Sequence, residues 1–223
     1  MSQQESAATP VIVPLGDSAL TILLGDRIDA ALAARAHRLA ERIRTAEIES
    51  VQEVVVGYAA VTVWYDALRV ALKKVTDALD PLVAADPGPA PTTGARRQHV
   101  IPVQYDGPDL EDVAQRIGLP ASEVVARHSD RWYDVYLVGF VPGWAYLGDL
   151  DPALVLPRRP VPRTRVPAGS VAIAGAQTGV YPLATPGGWH LIGRTSVVLF
   201  DPASEPPARL APGDRVRFVP VPA

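Results

Sequence analysis

Proline divides this sequence in two. Residues 1–80 carry only Pro10 and Pro14, whereas 21 of the 23 prolines fall in the remaining 143 residues. A proline has no backbone N–H and a fixed φ, so a proline-dense stretch neither continues a helix nor sits centrally in a sheet. The densest stretch, Asp86-Pro87-Gly88-Pro89-Ala90-Pro91-Thr92-Thr93-Gly94, reads as part of a linker over 86–97. The expectation is a smaller domain over 1–85 and a larger one over 98–223. A length of 223 residues is enough for real cores in both.

The first half alternates strand and helix signals. Ala19–Leu24 is a short apolar run suited to a strand, and Asp29 can cap a helix in which Leu32, Ala36, Leu39 and Ile43 recur on one face. Val51–Val56 and Val61–Tyr65 are β-branched runs separated by a Gly57-Tyr58 turn. Asp66 precedes a second helical stripe of Leu68, Leu72, Val75 and Leu79. The order β-α-β-β-α is that of an α+β unit close to a ferredoxin-like sandwich. The polar residues Arg35, Arg38, Glu41 and Arg42 fall on the solvated helix face, and His37 beside the stripe receives no catalytic role.

The second half opens with a strand-like His99–Val103 and two helical stretches. It then changes to β-like runs, Trp132–Phe140, Ser170–Ala174, Leu191–Phe200 and Arg215–Val219, separated by Gly and Pro clusters. Several short strands between turn signals predict a β-barrel or sandwich with one or two helices attached. The helical stretch Asp109–His128 imitates a helix-turn-helix, with a Gly118-Leu119-Pro120 turn. A DNA reader needs cations, yet Asp109, Glu111, Asp112 and Glu123 outnumber Arg116 and Arg127. The stretch is expected to be a helical pair packed on the β domain.

Composition removes several chemistries. A formal charge of −3 argues against a binder driven by bulk positive charge, either of nucleic acid or of membrane surfaces. No apolar run is long enough to span a bilayer, and the start lacks a secretory pattern, so a soluble cytoplasmic protein is expected. There is no cysteine, which excludes disulfides, thiolate catalysis and Cys-ligated metals. Lysine occurs only as Lys73-Lys74, which leaves no Walker A loop, Schiff-base site or serine–lysine amidase site. Met1 is the only methionine, so no Met-Lys-Met biotin site is present. No His pairing at metal-ligand spacing occurs, and Ser170 stands in Ala-Gly-Ser-Val-Ala, which is not a nucleophile elbow. His128 and His190 are isolated.

Two stretches point to a site. Gly139-Phe140-Val141-Pro142-Gly143-Trp144-Ala145-Tyr146 combines backbone turns with large aromatic faces, which suits a pocket wall and equally a core under a loop. Between Arg158 and Phe200 there are five arginines (Arg158, Arg159, Arg163, Arg165, Arg194) and no acid. Guanidinium forks bind carboxylate or phosphate, and nearby turns offer backbone N–H groups, so an anion site is expected; pairing with acids elsewhere in the chain is the alternative. Gln177-Thr178-Gly179-Val180-Tyr181-Pro182 adds amide, hydroxyl and phenol groups.

The runs GFVPGWAYLGDL (139–150), PRRPVPRTRVPAGSVAIAGAQTGVYP (157–182) and TPGGWHLIGRTSVVLFDP (185–202) resemble those of the 5-oxoprolinase B-subunit family, also called KipI-like or allophanate hydrolase subunit 1. GDSALTILLGDRID near the start and PGDRVRF near the end extend the resemblance to nearly the whole chain. Departures are small: Trp144 stands for the usual phenylalanine, Ser196 for a proline, and the Tyr105-Asp106-Gly107-Pro108 loop is short. The resemblance implies an α+β domain followed by a cyclophilin-like β-barrel of carboxyltransferase type. It implies work with a C-subunit homologue (allophanate hydrolase subunit 2-like) and an A-subunit protein on a small amide, opening 5-oxoproline to glutamate with ATP, and with Mg expected for the complex. Other readings within the family are an inhibitor of a sensor histidine kinase and one member of an allophanate- or urea-processing complex. The site positions it suggests are Tyr146, Arg158, Arg163, Ser170, Gln177, Thr178, Tyr181, Trp189 and Arg194, with arginines on anions, Gln177 and Thr178 orienting an amide or phosphate, and aromatics as walls. It names no catalytic residue.

Overall fold

The computed structural model describes residues 9–85 and 96–222, so residues 86–95 of the expected linker lie outside the described residues. The chain divides into two compact units, Met1–Ala95 and Arg96–Ala223.

In the first unit, strands β1 (Val11–Leu15), β2 (Ala19–Leu23), β3 (Val51–Val56) and β4 (Ala60–Tyr65) form one antiparallel sheet in the order β1-β2-β4-β3. Helices α1 (Ala30–Thr45) and α2 (Leu72–Ala84) complete the unit. Asp29 caps α1 as expected, its carboxylate accepting from the N–H groups of Ala31 and Leu32. The stripe Ala36, Leu39 and Ile43 is buried against Leu20, Ile22, Val61 and Val63. Two features differ from the sequence expectation. β1 is an additional strand, with Pro14 tolerated because β1 lies at the sheet edge. As in the expected order, no strand follows α2 among the described residues of this unit, which is α+β with β1 occupying the edge beside β2. The second helix also starts later. Asp66 closes a turn instead, accepting from the N–H of Leu68 on its side chain and of Arg69 and Val70 on its carbonyl, and Leu68 is fully exposed.

The second unit is built on a seven-stranded sheet containing β5 (Gln98–Val103), β6 (Trp132–Val138), β7 (Ala145–Gly148), β9 (Ser170–Ala174), β10 (Gln177–Val180), β12 (His190–Arg194) and β13 (Arg215–Pro220). Their order is β12-β9-β10-β7-β6-β13-β5, with only the β13–β5 pair parallel. Gln104, just past β5, exchanges two backbone hydrogen bonds of 2.9 and 2.8 Å with Arg194 at the end of β12. That bridge joins the two edges and makes the sheet a nearly closed barrel. Strands β8 (Arg163–Val166) and β11 (Thr185–Gly187) form a separate two-stranded ribbon. Helices α3 (Leu110–Ile117) and α4 (Ala121–Ser129) are joined through Gly118 (φ +69°) and pack on β12 and β13 respectively. Val113, Val124 and His128 of this pair are buried, so the element that imitates a DNA-reading motif spends its apolar faces on the barrel. The expected strand Leu191–Phe200 is shorter than read: it ends at Arg194, and Val198 is exposed. Among the described residues no helix is long and apolar enough to cross a membrane.

Candidate functional site

The β6–β7 connection is a tight loop. Phe140 and Gly143 both hold positive φ (70° and 78°), and the backbone N–H of Gly139 donates to the carbonyl of Trp144 at 3.0 Å. A side chain at Gly143 would put its Cβ 2.6 Å from the Cβ of Phe200, so only glycine fits there. The loop turns Phe140 outward, 62% exposed, and Trp144 inward, almost fully buried. Trp144 meets Tyr181, Trp189 and Tyr146 edge-to-face, with ring centroids 4.6, 5.0 and 5.7 Å apart. These rings, with Phe140, Arg158, Pro162 and the Pro186–Gly188 backbone, line a cavity of about 230 Å³. Ring pairs in this arrangement are mutually favourable and fix one another.

The segment carrying Arg158 is fastened on both sides. The His190 ring Nε2–H donates to the carbonyl of Pro157 at 2.9 Å, and the Arg159 N–H donates to the carbonyl of Gly188 at 2.8 Å. Asp109 provides the deeper anchor. One of its oxygens accepts from Arg159 (2.9 Å) and Arg163 (2.7 Å), and the other accepts from the backbone N–H of Leu191 (2.7 Å). Burial pushes the Asp109 carboxyl up, but the Arg163 hydrogen bond, the Leu191 N–H and the charges of Arg163 and Arg159 outweigh it and hold the group below its ordinary range. Arg158 itself stays exposed at the cavity, and among the described residues no carboxylate pairs with it.

Of the positions suggested by sequence, Tyr146, Arg158, Tyr181 and Trp189 come together around the cavity. The other five do not line it. Arg163 is spent on Asp109 and Arg194 on Asp106, at 2.8 Å, so the acid-free run of sequence finds its acids on the preceding segment, ahead of α3. Ser170 donates to the carbonyl of Pro167 and shapes its own turn. Gln177 is buried on β10. Thr178 lies in a buried chain of hydrogen bonds with His128 and Tyr105. Sequence reasoning missed Asp109, which reads as an ordinary helix cap, and left Phe140 and Trp144 undecided between wall and core.

The chain through His128 has a fixed direction. Thr178 Oγ1 donates to the carbonyl of Ala172 at 3.0 Å, so it must accept from His128 Nε2 at 2.8 Å. A neutral ring then accepts at Nδ1 from the Tyr105 hydroxyl at 2.6 Å. Burial, and secondarily the charge of Arg131, lowers the His128 pKa to about 3, so the ring is neutral at pH 7. Burial likewise pushes the Tyr105 phenol up. This is a structural relay on the barrel, holding α4 to β10. Among the described residues no group of three or more His, Asp or Glu side chains gathers as a metal site.

The sequence matches the carboxyltransferase domain, subdomain C and D, over residues 10–210. The chain belongs to this family. Among curated proteins, this carboxyltransferase-family chain is 44% identical to the 5-oxoprolinase B subunit of Escherichia coli O157:H7 over 209 residues, covering 92% of this chain and 94% of that protein. The solved structure of TTHA0988 superposes with a TM-score of 0.80 at 40% identity over 92% of this chain; the match spans only 40% of that longer chain. The Kluyveromyces lactis urea carboxylase structure aligns with 96% of this chain and 22% of its own length, with a TM-score of 0.75 at 19% identity, which is a likeness of fold.

Proposed function

We propose that this chain is the B subunit of an ATP-dependent 5-oxoprolinase, a cytoplasmic heteromer with a C-subunit homologue and an A-subunit protein that opens 5-oxoproline to glutamate. The observation that carries the reading is the 44% identity to a 5-oxoprolinase B subunit over nearly the full length of both chains. In this reading the second unit is a cyclophilin-like barrel of carboxyltransferase type, and the first is a ferredoxin-like unit in which β1 takes the place of the fourth strand. The barrel contributes the aromatic cavity, and the partners complete the reacting centre. Hydrolysis breaks the ring C–N bond; water supplies the new carboxylate oxygen, and its two protons join the ring N–H to form the ammonium.

ATP, with Mg, would supply activation of an otherwise unreactive amide carbonyl. The residues gathered here do not fit the nucleotide. A triphosphate needs several converging cations or N–H donors, and the cavity offers one unpaired guanidinium. Arg159 and Arg163 are held together on Asp109, and Arg194 pairs with Asp106, away from the cavity lining. The chain's own part is to bind and orient the small molecule. The test is glutamate and ADP formation by the three proteins together, with each omitted in turn. Turnover that requires this chain supports the reading; turnover by the partners alone overturns it.

A further inference from the structure

Resting on that reading, we infer that the aromatic cavity is a carboxylate-reading subsite for a small ring acid, with Arg158 as its specificity-determining residue, and that it excludes the nucleotide.

Size, wall chemistry and charge agree. A cavity of about 230 Å³ lies below the roughly 300–1,000 Å³ typical of sites for drug-sized ligands. Its walls are ring faces and edges held by their mutual contacts, so they present apolar surface without collapsing inward. A five-membered lactam ring has an apolar body that such walls accept.

The polar groups converge at Arg158. Arg158 lines the cavity together with Tyr146 and Tyr181, and its positive charge opposes the burial that raises both phenols. The two parallel N–H donors of a guanidinium match the two oxygens of one carboxylate. Asp109 and Asp106 hold Arg159, Arg163 and Arg194, and neither these nor Arg165 line the cavity, so Arg158 is its one arginine among the described residues. An amide that lacks the carboxylate loses this contact and keeps only the walls.

The experiment is calorimetric titration of the full chain, and of the assembled complex, with 5-oxoproline, with 2-pyrrolidinone (the same ring without the carboxylate) and with ATP. Arg158→Gln and Arg158→Lys are compared with the native chain, and Arg194→Gln removes an equal charge away from the cavity. The expected result is that 5-oxoproline binds roughly 10- to 100-fold more tightly than 2-pyrrolidinone. Arg158→Gln erases that preference and leaves 2-pyrrolidinone binding unchanged, Arg158→Lys restores part of it, and Arg194→Gln leaves it intact. ATP does not compete. The inference is overturned if Arg158→Gln weakens both ring compounds equally or neither, if ATP displaces the acid, or if neither chain nor complex binds the acid. A complex that hydrolyses 5-oxoproline with an unaltered KM in Arg158→Gln overturns this subsite and leaves the proposed function standing. A complex that binds the acid through Arg158 without hydrolysing it does the reverse.

Discussion

Lowering the pH from 7 to 5 puts a defined load on the hydrogen-bond chain through His128. Its folded pKa of about 3 lies well below the ordinary value of 6.5. Between those values the unfolded chain binds a proton that the folded one refuses, so stability rises with pH across this window. The contribution is fully present above pH 6.5 and is lost as pH falls towards 3. At pH 5 the unfolded state is favoured by about 1.5 pH units of proton binding, or about 2 kcal/mol. The comparison that isolates this histidine is His128→Phe, a ring able to keep the stack on Phe218, whose centroid lies 4.6 Å away. The variant leaves the Tyr105 hydroxyl without its acceptor, which costs about 1–3 kcal/mol at pH 7. Thr178 still donates to Ala172, so it adds little to that cost. Urea unfolding followed by tryptophan fluorescence reads the second unit alone in a Trp64→Phe background, since the other three tryptophans lie there. The stability lost between pH 7 and pH 5 is expected to be smaller by about 2 kcal/mol in His128→Phe than in the parent. Equal losses in the two proteins would refute the argument that His128 is buried and neutral.

Other perturbations separate the anchors from the walls. Asp109→Asn keeps an acceptor for Leu191 but strips the charge partner from Arg159 and Arg163; because both arginines are partly exposed, the expected loss is about 2–3 kcal/mol in urea unfolding, accompanied by weaker 5-oxoproline binding as the Arg158 segment loosens. Gly143→Ala places a Cβ against Phe200 at positive φ and is expected to cost about 2 kcal/mol or more, with a changed near-ultraviolet circular dichroism signal from Trp144. Leu68→Lys is expected to change stability by less than about 0.5 kcal/mol in the same unfolding assay, because Leu68 is fully exposed.

Local patterning was enough to locate α1 from its recurring buried face, and β3, β4 and the barrel strands β5, β6, β9, β12 and β13 from their β-branched or apolar runs; β7 and β10 escaped it. It misjudged elements whose ends are set by other forces. Leu68 continues the α2 stripe on paper, but the turn begun at Asp66 ends at Val70, Ala71 is extended (ψ 144°), and α2 starts afresh at Leu72. Pro14 and three further exposed residues hide the period of β1, which owes its place to pairing with β2. The arginine-rich run was visible as a local charge excess. Which arginine stays available was not, because Asp109 and Asp106 lie some 50 to 90 residues earlier and meet the run only through the fold. Thr178 and His128 are likewise 50 positions apart, and nothing in either neighbourhood announces their contact. The aromatic walls were legible as residue types; their shared cavity needed the positive-φ loop before Trp144.

The central claim is tested most directly by the initial rate of glutamate formation against 5-oxoproline concentration, with ATP present and absent, for complexes assembled with native and Arg158→Gln chains. The expected result is ATP-dependent glutamate formation by the native complex, with KM raised roughly 10- to 100-fold by Arg158→Gln. A folded, fully assembled native complex that forms no glutamate would contradict the account.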